Sequence, residues 1–327
     1  MRCALSLLAL LAISSVARAE PIELRLATLA PNGSAWAKIM QEGEQRLAAD
    51  TEGRVRFRIY FSGSQGDERD VVRKMKLGQL DGGALTAVGL GMILPEILVL
   101  QLPYLFTSEK QLDHVRNVLG PELAKRLDEA GFVLVAWGDV GWVHTYFTVP
   151  IAGAGDFQGI KFAQWVDDPI SREMYAVLGV NGVPLGIADI RMALQTGSVQ
   201  ACAAPPLAAV ALQWYPKLAY MTDRPSSYAI GALILRKPAF ERLTPADREV
   251  LMAGARMTGS KLVASVRRDN ERAKKAILKS GVQMIAVPDD VHERLVGAGK
   301  QVWKRLAGKL YSQAFLDRVV ALAAEAR

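Results

Sequence analysis

Cysteine is almost missing from this sequence of 327 residues: only Cys3 and Cys202 are present. Cys3 falls inside a leader-like start, so a mature chain keeps one thiol and cannot close an internal disulfide. Cys202 lies in the apolar stretch Gln200-Ala-Cys-Ala-Ala-Pro205 with no ligating neighbour, the setting of a small buried residue. Histidine is equally sparse. His114, His144 and His292 are far apart and form no His-x-x-x-His pair, which excludes a zinc helix of that kind. No G-x-S-x-G elbow and no phosphate loop of the G-x-x-x-x-G-K-[ST] kind occurs. Gly89-Leu-Gly91 is not a dinucleotide loop, because Leu94 stands where the third glycine belongs. Catalytic residues, metal ligands and cofactors are therefore not expected.

A membrane-spanning run is lacking too. Ala4 to Ile13 is apolar apart from Ser6, but a spanning helix needs roughly 20 residues. Arg2 precedes that run, and Ala17-Arg18-Ala19 follows it with the small-x-small pattern of a signal-peptidase site. Residues 1–19 are expected to be a cleaved signal peptide, the mature chain to begin near Glu20, and the protein to be periplasmic. Charge of one sign is modest: 40 Lys and Arg against 33 Asp and Glu give +7, and loss of Arg2 and Arg18 lowers this by two. The basic residues are dispersed, as in Arg267-Arg268 and Lys274-Lys275, with no stripe interleaved with aromatics. Nucleic acid is not an expected partner. The adjacent carboxylates Asp167-Asp168 and Asp289-Asp290 sit beside Pro169 and Pro288 and read as helix N-termini.

What is present is an ordinary globular chain, 50% hydrophobic and 22% charged, long enough for two domains. Glu23 to Ala27 alternates like a strand, Ser34 caps a helix, Val55 to Phe61 alternates again, Asp67 opens a helix and Gly82 to Ala87 reads as a short buried strand. That βαβ grammar gives an open parallel sheet. Two helices are expected from Ser108 and from Pro121, and then a strand over Val133 to Trp137. Gly141 to Pro150 is extended, and Ile151 to Gly155 reads as a loop or crossover. A second series follows: a strand over Ile160 to Trp165, a helix over Ile170 to Leu178, and a helix over Ala188 to Thr196 stopped by Gly197. Short strands are expected over Val199 to Ala203 and Tyr228 to Leu235. Thr244-Pro245 starts a helix running to about Lys279. At 1.5 Å per residue it is ~50 Å long and must lie along more than one lobe. The expected fold class is α/β: a two-lobed periplasmic-binding-protein-like fold with a long helix bracing both lobes. Residues 20–140 with part of 228–280 are assigned to one lobe. Residues 141–227 with part of 245–327 form the other, together with the C-terminal helices.

Several segments, in order, resemble the DctP-type solute-binding proteins of TRAP transporters. They are Leu26-Ala-Thr-Leu-Ala-Pro31, Tyr60-Phe-Ser-Gly-Ser-Gln-Gly-Asp-Glu68, Met75-Lys-Leu-Gly-Gln-Leu80, Leu102-Pro-Tyr-Leu-Phe106, Gly159-Ile-Lys161 and Ala193-Leu-Gln-Thr-Gly197. The resemblance implies a receptor that closes on one small-molecule ligand and docks on integral-membrane TRAP permease subunits. Some relatives also work with a soluble helical-repeat protein. It further implies arginines after the Gly-Ile-Lys segment and in a Gly-Phe-Arg segment, gripping a carboxylate, and an asparagine after the Ala-Leu-Gln-Thr-Gly helix. Here Ala163, Val143 and Ala204 stand in their places.

Magnitudes decide how to read these departures. A hydrogen bond to a charged group contributes roughly 1.5–3 kcal/mol, and a desolvated carboxylate without donors is penalised by more. Trp142, Trp165 and Trp214 fall near the replaced positions. Each buried indole removes roughly 150–250 Å² from water, an upper bound of roughly 4–6 kcal/mol. An apolar or amphipathic ligand is expected, bounded by Trp142, Trp165, Trp214 and Ala204, with polar contacts from Glu68, Thr86, Gln164 and Asp168. Plain core is the other reading of the tryptophans. Alternatively, a relocated cation (Arg191, Lys161 or Arg172) holds an organic acid. An enzyme would need a base in the cleft, and His144 with Asp139 is the only pairing close in sequence. A docking protein without ligand is disfavoured, since a hinge has value chiefly when something is enclosed.

Overall fold

The computed structural model describes residues 20–151, 157 and 159–326. The expected leader at 1–19 and residues 152–155 of the expected crossover lie outside the described residues. The first half runs β1 (Ile22–Thr28), α1 (Ala35–Asp50), β2 (Val55–Tyr60), α2 (Glu68–Lys76), β3 (Gly82–Thr86), α3 (Ala87–Gly91), a 3-10 turn over Pro95–Gln101, α4 (Glu109–Glu129) and β4 (Phe132–Phe147). Next come β5 (Lys161–Trp165), α5 (Pro169–Leu178), β6 (Asn181–Leu185), α6 (Ile187–Thr196), β7 (Ala201–Ala204) and α7 (Pro206–Ala211). The chain ends with β8 (Tyr220–Thr222), β9 (Ser227–Arg236), α8 (Lys237–Glu241), α9 (Pro245–Lys279), β10 (Gln283–Ile285), α10 (Asp289–Leu306) and α11 (Gln313–Glu325).

Local chemistry explains most boundaries. Ser34 Oγ accepts from Ala37 N at 3.2 Å and starts α1. Gly179 and Gly197 take the left-handed conformation that ends α5 and α6. Pro121 does not divide two helices: α4 runs through it. The preceding residue is Gly120, which has no Cβ for the proline ring to strike. β6 and α7 were not anticipated. Pro184 stands inside β6, and proline argues against a strand except at an edge, where β6 lies.

The sheet is mixed rather than wholly parallel. β2, β1 and β3 are parallel, but β9 runs antiparallel to both β3 and β4. β4 joins the two lobes. Its residues Phe132 to Val143 pair with β9, and His144 to Phe147 pair with β7, which leads on to β5 and β6. Register shifts at Leu134/Ala136 and Asp139/Gly141 bend the strand on the way. Gly141 has φ +127°, and a Cβ there would lie 2.8 Å from Asn270 Cγ. Asn270, on α9, donates to Val140 O and Val266 O and accepts from Leu207 N. One side chain thus ties the bent strand, the long helix and α7 together.

α9 spans the expected 35 residues and packs on α1, β4 and α7, which bracket both lobes. One apolar core gathers around Leu90, Ile97, Leu112, Leu119 and Ile234, and a second around Tyr146, Leu194, Cys202, Trp214 and Met221. Cys202 is 1% exposed, and burial pushes its thiol up to about 12, so it is not a reactive thiolate at neutral pH.

Candidate binding cleft

A cavity of about 430 Å³ opens where the two halves of the sheet face one another. One wall is the carboxyl end of β1 and the loop after it (Thr28 to Pro31), with Glu68 and Thr86. The other carries Ala163 and Trp165 of β5, the start of α5, Ala203 and Ala204 of β7, and Trp214. Ligands of open α/β sheets bind at such strand ends. Trp36 and Trp137 also line it. Both were missed from sequence, although Trp36 sits two residues after the Ser34 cap, beside the β1 loop. Trp36 Nε1 donates to Asp139 O at 3.1 Å.

Glu68 and Thr86 lie on the lining, but their polar atoms are engaged with each other. The Glu68 carboxylate is 1% exposed. It accepts from Thr86 N at 2.6 Å, Thr86 Oγ1 at 2.8 Å and Gly89 N at 2.6 Å. Burial pushes its pKa up to about 7, against the pull of those donors. The adjacent Asp67 reaches across the cleft. Its Oδ1 caps α2 at Glu68 N. Its Oδ2 accepts from Trp165 Nε1 and Ile187 N, each at 3.1 Å. Arg69 pairs with Asp167 beside it. These contacts hold the two walls together.

The other expected site residues divide. Trp165, Asp168, Ala204 and Trp214 line the cavity. Asp168 caps α5 by accepting from Ile170 N at 2.9 Å, and burial raises its pKa. Trp214 is only 3% exposed and packs in the second core. Trp142 and Gln164 are not on the lining. Trp142 stacks edge-on against Tyr228 at 4.8 Å. Gln164 faces Gly182, whose added Cβ would meet Gln164 Oε1 and Tyr175. Val143 and Ala163, one position away in each strand, face the cavity instead.

The relocated cations also fall elsewhere. Lys161 and Arg191 are exposed and off the lining. Arg172 opens onto a separate surface depression with Arg69, Arg73 and Lys76. Among the described residues, Arg224 is the one Lys or Arg on the cavity wall. It was not singled out because it stands in the aperiodic turn Thr222-Asp-Arg-Pro225.

His144 and Asp139 do not form a dyad. His144 Nδ1 donates to Thr222 O at 2.8 Å, and burial lowers its pKa to about 4. Asp139 is held by Arg116 Nη1 at 2.6 Å, Arg267 Nε at 2.9 Å and Tyr228 OH at 2.7 Å. Asp113 binds the same two arginines. The result is a rigid polar brace at the strand crossing.

Residues 26–310 match the family described as bacterial extracellular solute-binding protein, family 7. A solute-binding protein of Verminephrobacter eiseniae is 26% identical over 246 residues, covering 74% of this chain and 71% of that protein. The sugar acid binding protein of Advenella mimigardefordensis, solved with galactonate, superposes with a TM-score of 0.87 at 19% identity, covering 94% and 99% of the two chains. A TRAP periplasmic solute-binding protein of Ralstonia eutropha, solved with (S)-2-acetolactate, gives 0.86 at 21% identity, covering 93% and 99%. No helix among the described residues is long and apolar enough to cross a membrane. With the family match spanning most of the sequence and the fold agreeing, this chain belongs to the DctP family of TRAP solute-binding receptors, which deliver small molecules to membrane permease subunits and are not enzymes.

Proposed function

We propose that this receptor carries an organic acid whose body is largely apolar. The observation that supports the reading is the composition of the cleft wall. Ala163, Val143 and Ala204 face the cavity with Trp36, Trp137 and Trp165, and Arg224 is the cation among the described lining residues. Structural neighbours were solved with acids, acetolactate and galactonate among them. An acid therefore fits better than the uncharged apolar ligand that the missing arginines suggest. A densely hydroxylated sugar acid does not suit these walls: each buried hydroxyl without a partner costs about 1–3 kcal/mol.

The proposal includes cleavage of residues 1–19 and the division into lobes at 140/141. It also includes a soluble helical-repeat partner shielding an apolar cargo between receptor and permease. Its test is to denature the purified protein in organic solvent and identify the released small molecules by mass spectrometry. A carboxylic acid with few other polar groups is expected. A sugar acid, a small dicarboxylate or a neutral lipid refutes the reading.

A further inference from the structure

We infer that Arg224 anchors the carboxylate of the ligand, from the turn between β8 and β9 rather than from β5. The inference rests on the ligand being an acid. The turn is fixed: Asp223 N donates to Ile285 O at 3.0 Å, Asp223 Oδ1 accepts from Val287 N at 2.9 Å, and Thr222 Oγ1 donates to Arg224 O at 3.3 Å. Arg224 is therefore presented from a rigid support, as a carboxylate clamp requires.

One edge of its guanidinium is occupied by a weak partner. Arg224 Nη2 meets Asp289 Oδ1 at 2.5 Å, but the Asp289 side chain is 85% exposed, and an exposed ion pair is readily exchanged. Nη1 and Nε have no partner among the described residues. A bound carboxylate takes these donors and competes with Asp289.

A second observation places unfinished polar groups on the same cavity. Gln101 Oε1 and His292 Nδ1 are buried without a hydrogen-bond partner, and both residues line the cavity that Arg224 lines. Native proteins pair nearly all buried polar atoms, so two unmatched ones lining one cavity point to something that completes them. Three segments converge there. Tyr104 N donates to Ser226 O at 2.7 Å, and the Tyr104 ring stands 5.6 Å from that of His292. His292 lies three residues after Asp289, on the same side of α10. Arg224 supplies charge, while Gln101 and His292 supply further polar contacts to the head of the ligand. The tryptophans receive its body.

The test compares monocarboxylic acids of about four to ten carbons, straight-chain and aryl, with their primary amides, which match them in size and lack the charge. Titration calorimetry on ligand-stripped protein should give at least one acid bound about tenfold or more tighter than its amide. In Arg224→Gln that preference should vanish while the amide binds within about twofold of wild type. Asp289→Asn should tighten the acid a few-fold and leave the amide unchanged. A preference that survives in Arg224→Gln overturns the anchor but keeps the acid reading. No acid bound, or no preference in the wild-type protein, overturns both.

Discussion

Asp67 offers the sharpest perturbation of the closed cleft. In Asp67→Asn the side chain keeps one carbonyl oxygen. Asparagine caps helices as well as aspartate does, so that oxygen stays on Glu68 N. The amide nitrogen then faces Trp165 Nε1 and Ile187 N, two donors that now have no acceptor. Bonds to a charged acceptor contribute about 1.5–3 kcal/mol each. Taking the lower figure for these partly buried contacts, closure loses about 3 kcal/mol, or about a hundredfold in affinity. The neighbouring Arg69–Asp167 pair does not compensate, because it is already formed in the wild-type protein and the substitution leaves it unchanged. Calorimetry with the co-purifying ligand measures the affinity, and thermal unfolding of the ligand-free protein checks that α2 is intact. Affinity within about twofold of wild type at unchanged unfolding temperature would refute the reasoning. The cross-cleft bonds would then not be part of closure.

Trp165→Ala removes both an apolar wall and a donor to Asp67. With half an indole face (about 2 kcal/mol) and the bond to Asp67 (about 1.5 kcal/mol) both lost, it should weaken binding by about 3.5 kcal/mol, a few-hundredfold, by the same calorimetry. Gly141→Ala forces a Cβ into Asn270 at a positive φ. It should destabilise the fold by about 3 kcal/mol in denaturant titration, from backbone strain together with overlap. Glu68 has its folded pKa raised from 4.5 to about 7. A raised pKa means the stabilising contribution is present in full below pH 4.5 and is lost as pH rises through 7. The stability of the wild-type protein relative to Glu68→Gln should therefore fall across that window, in unfolding curves collected at several pH values.

Much of the frame was legible because it rests on local chemistry. The Ser34 cap, the alternation in β1 and β2, the Asp67 helix start and the 35-residue α9 follow from side chains close in sequence. The wall of the cleft was less legible, for two physical reasons. Strand faces alternate with period two, so Ala163 and Trp165 share a face that Gln164 cannot join. In β4, the bulge at Asp139/Gly141 resets that alternation. Counting from Val133 therefore does not tell whether Trp142 or Val143 faces the cavity. Arg224 and His292 reach the site from the far end of the chain, one on a turn and one on α10. No periodic signal links them to Gln101. The antiparallel β9 was hidden as well, since strand direction depends on where the chain re-enters a sheet and not on the strand's own residues.

A crystal structure of protein purified without unfolding tests the central claim most directly. The account predicts an elongated density in the cleft, its body along Trp165 and Trp137 and a forked end within hydrogen-bonding distance of Arg224. A compact, many-branched density held by the polar atoms of Glu68 and Thr86, with Arg224 still on Asp289, would contradict it.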